Sequence, residues 1–96
     1  VGPYDVILAN ILAGPLRRMA PDLAPHLAAN GWLILSGILN EQSVAVERAY
    51  AAQGLRCWTM LRIGDWTVIV MRPAAIGAMP GLWHGRQPAA IATQEE

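Results

Sequence analysis

One polar position stands where an apolar run ends, and it is the strongest candidate for chemistry. In Tyr4-Asp5-Val6-Ile7-Leu8-Ala9-Asn10-Ile11-Leu12-Ala13-Gly14-Pro15-Leu16 the bare apolar run from Val6 to Leu8 changes character at Asn10, and Gly14-Pro15 follows. A side-chain amide offers an acceptor oxygen and two N–H donors. In a core setting it must find partners or be kept for a ligand. Ligands of α/β sheets gather at the carboxyl ends of strands. Asn10 therefore either meets a ligand or caps the helix that Gly14-Pro15 opens. Ser36-Gly37 follows the next apolar run, Trp32-Leu33-Ile34-Leu35, at its carboxyl end.

The other chemistry-bearing residues have plainer explanations. His26 falls on the polar face of a helical stretch, where a histidine is solvated. Cys57, the one cysteine, has no basic partner near it in sequence and behaves as a small apolar residue. With no second cysteine and no nearby histidine, it builds neither an internal disulfide nor a metal site. Arg17 and Arg18 form a solvated face, Glu41 complements the positive end of a helix, and Trp32, Trp58 and Trp66 pack within strands.

The elements that must position Asn10 follow from periodicity. The run around Val6–Leu8 is a strand covered on both faces. Leu16, Met19, Leu23 and Leu27 recur at spacings of three and four, which gives a helix with one apolar face. Pro21 and Pro25 predict that it is bent or in two parts, and Asn30-Gly31 stops it. Trp32–Leu35 is the second strand. A second helix is expected from Asn40, as its cap, to Gln53, with Val44, Ala45, Ala49 and Ala52 buried and Gly54 as its stop. Leu55 to Arg62 forms a third strand, Ile63-Gly64-Asp65 a turn, and Trp66–Met71 a β-prone fourth strand, which must be antiparallel to the third. Arg72-Pro73 closes the folded part. Residues 1–73 thus form one domain. Residues 74–96, rich in Gly, Pro and Ala without period, form a flexible tail in which Trp83-His84 has no evident role.

Composition bounds the function. The chain has 96 residues, seven basic and seven acidic, with no net charge, so neither nucleic acid nor an anionic membrane is announced. Its hydrophobic share of 54% with only 15% charged suggests more apolar surface than a domain this small can bury. No apolar run approaches the ~18 residues of a membrane span. Val1-Gly2-Pro3 shows no signal peptide; a start without Met directly before a buried strand suggests part of a longer protein, and the single cysteine fits a reducing cytoplasm.

With Asn10-Ile11-Leu12-Ala13-Gly14-Pro15-Leu16 and Leu35-Ser36-Gly37-Ile38-Leu39 both present, and Gly64-Asp65-Trp66 before the last strand, the chain resembles the C-terminal part of the PrmA-type methyltransferases. These trimethylate a bacterial large-subunit ribosomal protein using S-adenosylmethionine. The similarity runs from about Tyr4 to Arg72, and the correctly spaced pair of motifs makes it specific. It implies the C-terminal half of a Rossmann-like class I S-adenosylmethionine-dependent methyltransferase fold: β-α-β-α-β-β, parallel strands with an antiparallel edge hairpin. The first strand would lie at the centre of the full sheet, next to a strand from upstream. The resemblance gives Asn10 a contact with the cofactor and a place beside the incoming amine. It makes Ile11 and Leu12 shape the methyl-acceptor pocket and sets Ser36, Gly37 and Ile38 in a loop near the active site. The implied partners are the ribosomal protein substrate and the remainder of the methyltransferase domain, in the cytoplasm.

The family's glycine-rich cofactor loop and its ribose-gripping acidic residue would lie upstream of Val1, so these 96 residues alone are not expected to turn over substrate. An unpaired central strand would make them marginally stable and prone to self-association. Two alternatives remain at this level: the half of another Rossmann-like amino-group methyltransferase, or a non-catalytic module that docks a protein on its exposed sheet.

Overall fold

The computed structural model describes residues 3–74 and 90–93. The first apolar run forms strand β1, Tyr4–Asn10. After it the chain turns helical in three short pieces: α1 (Ala13–Arg18), α2 (Ala20–Leu23) and a 3-10 turn over Ala24–His26. The segmentation expected from the prolines is present, and its cause is local. Pro21 and Pro25 each sit in the first turn of a new piece, where a missing amide proton is not needed by the helix.

Strand β2, Leu27–Leu39, is much longer than the expected Trp32–Leu35. Leu27 starts the strand instead of finishing the helix, and Asn30-Gly31 lies inside it. The added residues are accommodated by a register shift: Tyr4 pairs with Leu27, but Val6 already pairs with Trp32. A 3-10 turn at Asn40–Gln42 leads into α3, Ser43–Ala51, followed by β3 (Leu55–Ile63) and β4 (Trp66–Pro73). Asn40 does not cap the helix as expected. Its Nδ2 donates to the Gly64 carbonyl at 2.9 Å and its Oδ1 accepts from the Thr67 hydroxyl at 2.6 Å, tying the turn to the β3–β4 hairpin.

The buried face of α3 also differs. Val44, Ala45 and Ala52 are exposed, whereas Ser43, Val46 and Tyr50 face inward. Valine for valine the two faces are equal, and burying Tyr50 removes more apolar surface from water than burying Ala45 and Ala52 would. The Tyr50 hydroxyl then donates to the Leu16 carbonyl at 2.7 Å, which locks the helix in that rotation.

The sheet runs β3-β4-β2-β1-β5. β1 and β2 are parallel, and the β3–β4 hairpin joins β2 with β4 antiparallel, as the helix-linked order requires. Of the residues expected as a tail, Ala90–Thr93 form β5, parallel to β1 on its other edge; Trp83-His84 lies outside the described residues. One core joins Ile7, Ala9, Leu33, Leu35, Ile69 and Met71 of the sheet to Ala13, Leu16, Val46 and Tyr50 of the helices. The described helices therefore cover one face only. The expectation that β1 is covered on both faces does not hold among these residues: Leu8, on the opposite face, is 36% exposed. On that face Trp32 meets Trp58 edge-on at 5.6 Å, and the Arg72 guanidinium lies 3.8 Å from the Trp32 ring centre. Arg72 also donates to the carbonyls of Asn30 and Gly31, so Trp32 packs, whereas Trp58 and Trp66, expected to pack as well, stay 54% and 50% exposed.

Candidate functional site

Asn10 ends β1 and Ser36 is its register partner on β2, so the two polar residues meet at the carboxyl ends of adjacent parallel strands. The Ser36 hydroxyl donates to Asn10 Oδ1 at 3.2 Å. That bond fixes which way the amide points and leaves Nδ2 without a partner among the described residues. Asn10 itself is exposed. Of the two sequence readings, helix capping is not what it does: α1 has no side-chain cap.

Gly37 makes this arrangement fit. Its φ is +82°, a left-handed conformation that side chains disfavour. A Cβ there would stand 2.9 Å from Asn10 Oδ1 and 3.1 Å from the Ile11 carbonyl oxygen. The register of β2 against β4 slips between Leu35 and Ile38, so the glycine sits in a bulge, a device that re-aims a strand beside a site.

The remaining candidates divide by exposure. Leu12 is 44% exposed and stands just past Asn10, free to line a pocket. Ile11 and Ile38 are 4% and 0% exposed and belong to the core. Their side chains position the loop from below, while their backbone borders it. Asn10, Ile11, Ser36 and Gly37 are thus brought together, Leu12 flanks them, and Ile38 supports them.

Two positioning residues carried no sequence signal strong enough to single them out. Tyr50, fully buried, holds α3 against α1, the helix that follows Asn10; burial pushes its phenol well above the usual range. Thr67, also buried, anchors Asn40. An inward tyrosine one helical turn past Val46 was the available clue. At Cys57 burial, with a smaller push from the Glu47 charge, raises the thiol pKa, which disfavours the reactive thiolate. A shallow cleft between α1 and α3, lined by Gly14, Arg17, Arg18 and Ala49, shares no residue with the Asn10 set. Among the described residues no group of His, Cys, Asp or Glu can hold a metal, and no helix is long and apolar enough to cross a membrane.

Comparison with known proteins identifies the family and the fold. The family profile described as "Ribosomal protein L11 methyltransferase (PrmA)" matches residues 1–74. The ribosomal protein L11 methyltransferase of Bradyrhizobium diazoefficiens is 49% identical over 71 residues, 74% of this chain and 24% of the relative. That of Geobacter sulfurreducens is likewise 49% identical over 71 residues with the same coverage. The crystal structure of ribosomal protein L11 methylase from Lactobacillus delbrueckii subsp. bulgaricus superimposes with a TM-score of 0.68 at 35% identity, covering 72% of this chain and 36% of that one. The chain spans about a quarter of the length of the curated relatives it matches, and its matched residues are their C-terminal part. The elements β1 to β4 with their helices are the corresponding portion of a class I methyltransferase fold. The chain belongs to the ribosomal protein L11 methyltransferase (PrmA) family.

Proposed function

We propose that this chain supplies one wall of an S-adenosylmethionine-dependent methyltransferase site, acting on amino groups of a large-subunit ribosomal protein as part of a whole methyltransferase domain. The observation that carries the reading is the amide of Asn10: exposed at a strand's carboxyl end, aimed by Ser36, with Gly37 leaving room beside it. Those features suit a ligand on that side. Asn10 would touch the cofactor, with Leu12 on the acceptor side. Bound there, S-adenosylmethionine supplies an electrophilic methyl group on a sulfonium.

Methyl transfer to an amine is an in-line displacement, so alignment and a neutral nucleophile are its main requirements. A lysine amine, with an ordinary pKa of about 10.4, is mostly protonated near neutrality, and exclusion of water favours its neutral form. Asn10 Oδ1 is the only carboxamide acceptor in the Asn10 set; it accepts one N–H of the neutral amine and so directs the lone pair. The Ser36 hydroxyl holds that oxygen in place. No proton passes through Asn10, which acts by orientation.

The test is calorimetric titration of S-adenosylmethionine into this chain and into a chimera in which the upstream part of the Bradyrhizobium relative precedes Tyr4. Binding to the chimera, and a loss of roughly 10²-fold in its kcat/KM on Asn10→Ala through misaligned acceptor, are expected. No binding to the chimera, or an Asn10→Ala chimera with unchanged affinity and turnover, would refute the assignment.

A further inference from the structure

Arg17 and Arg18, expected as a solvated face, are exposed, but they do not point apart. Consecutive residues on a helix do not ordinarily share a face. Here both side chains line the one cleft between α1 and α3, with Gly14 and Ala49. Arg18 reaches it by folding back along its own helix: its Nη1 lies 3.5 Å from where a Cβ on Gly14 would stand. A glycine and an alanine make a low floor. The two guanidiniums are therefore the charged groups of the lining, and no carboxylate is among them. Like charges held together repel, so their convergence calls for a counter-charge. The protein does not supply one. Neither guanidinium has a hydrogen bond or ion pair among the described residues, and Asp22 and Glu47, on the neighbouring helices, do not line the cleft. A cation in the last turn of a helix can also serve by donating to its free carbonyls. Arg72 makes bonds of that kind to two backbone carbonyls; Arg17 and Arg18 make none.

We propose that the cleft between α1 and α3 binds a phosphate group, held by Arg17 and Arg18. A guanidinium presents a planar fork of N–H donors that matches phosphate oxygens bidentately, and two such forks meet here over a floor with no acid to repel the anion. At about 290 Å³ the cleft falls just short of the roughly 300–1,000 Å³ typical of small-molecule sites. It suits one tetrahedral oxyanion and not an extended ligand. Because it is shallow, the phosphate can arrive free or as part of an RNA backbone. The site shares no residue with the Asn10 set and does not rest on the methyltransferase reading.

Titration of the full chain at low ionic strength, followed by NMR of the arginine Nε–H groups, tests the site. Inorganic phosphate is expected to shift the signals of Arg17 and Arg18 saturably, while those of Arg56 and Arg62, exposed on β3, stay in place. Arg17→Gln and Arg18→Gln should each weaken binding about tenfold, the loss of one charge-assisted contact. Arg56→Gln removes the same charge elsewhere and should leave affinity within about twofold. All three side chains are exposed, so the substitutions spare the core. A short single-stranded RNA identifies the source of the phosphate. Tighter binding than inorganic phosphate, with a salt slope that falls by about 0.7 for each arginine removed, assigns the group to an RNA backbone. Arginine-dependent phosphate binding with no gain from RNA assigns it to a free ion. The site is overturned if phosphate and RNA both leave the Arg17 and Arg18 signals unmoved. It is equally overturned if whatever binds is indifferent to Arg17→Gln and Arg18→Gln, or is weakened as much by Arg56→Gln.

Discussion

Replacing Tyr50 by phenylalanine removes one oxygen and tests how the helical layer is held. The ring is fully buried and stays so in the variant, so apolar burial is conserved. What is lost is the 2.7 Å bond to the Leu16 carbonyl. Depriving a buried carbonyl of such a donor costs about 1–3 kcal/mol, a sizeable part of the roughly 5–15 kcal/mol that holds a domain folded. At ~2 kcal/mol, Tm falls by roughly 8–16 °C for a chain this small. Alkaline pH supplies a second readout. Burial raises the Tyr50 phenol, so the folded state keeps a proton that the unfolded chain releases above about pH 10. Its contribution is complete below that pH and is lost as pH rises further, by up to about 1.4 kcal/mol per pH unit. All seven basic residues are arginine, so no lysine titration overlaps this window, and the other groups are common to both proteins. Urea unfolding of the wild type and Tyr50→Phe at pH 7 and pH 11 measures both effects. A variant within about 0.5 kcal/mol of wild type at pH 7, or one that retains the wild-type alkaline loss, would refute the account of α3 anchoring.

Gly37→Ala is expected to cost about 1–3 kcal/mol from its left-handed backbone, and the added methyl displaces Asn10 Oδ1; chemical denaturation measures the loss, and side-chain amide NMR shifts of Asn10 report the displacement. Thr67→Val and Asn40→Ala should each destabilise by about 1–2 kcal/mol, and a double-mutant cycle should give a coupling of at least about 0.5 kcal/mol because they share the 2.6 Å bond. Cys57, raised by burial and by Glu47, should react with iodoacetamide more slowly at pH 8 than a free cysteine, its rate rising as pH climbs through the elevated pKa and the thiolate forms; a rate equal to that of a short unfolded peptide refutes this.

Apart from β5, the element order was legible in the amino-acid sequence because each piece carries its own local cause. Val6–Leu8 and Trp66–Met71 are apolar, β-prone runs; Pro21 and Pro25 divide the helical segment; Gly64-Asp65 is too short for anything but a hairpin. Asn10 could be marked for the same reason, as a polar residue ending an apolar strand, whereas Ser36 entered through the family resemblance. Their meeting could not. It depends on the β1–β2 register and on the Gly37 bulge, which set residues 26 positions apart at 3.2 Å. The same holds for the inward rotation of α3, where Tyr50 finds Leu16 across the layer, and for Asn40, which serves the β3–β4 hairpin instead of the helix it precedes. The start of β2 at Leu27 was likewise decided by pairing with Tyr4, against the helical spacing of Leu16, Met19 and Leu23. Periodicity and turn chemistry act over a few residues and are written in the chain. Register, helix rotation and the choice of edge partner are settled by which distant surfaces bury the most and leave the fewest backbone groups unpaired, and these exist only once the sheet has formed.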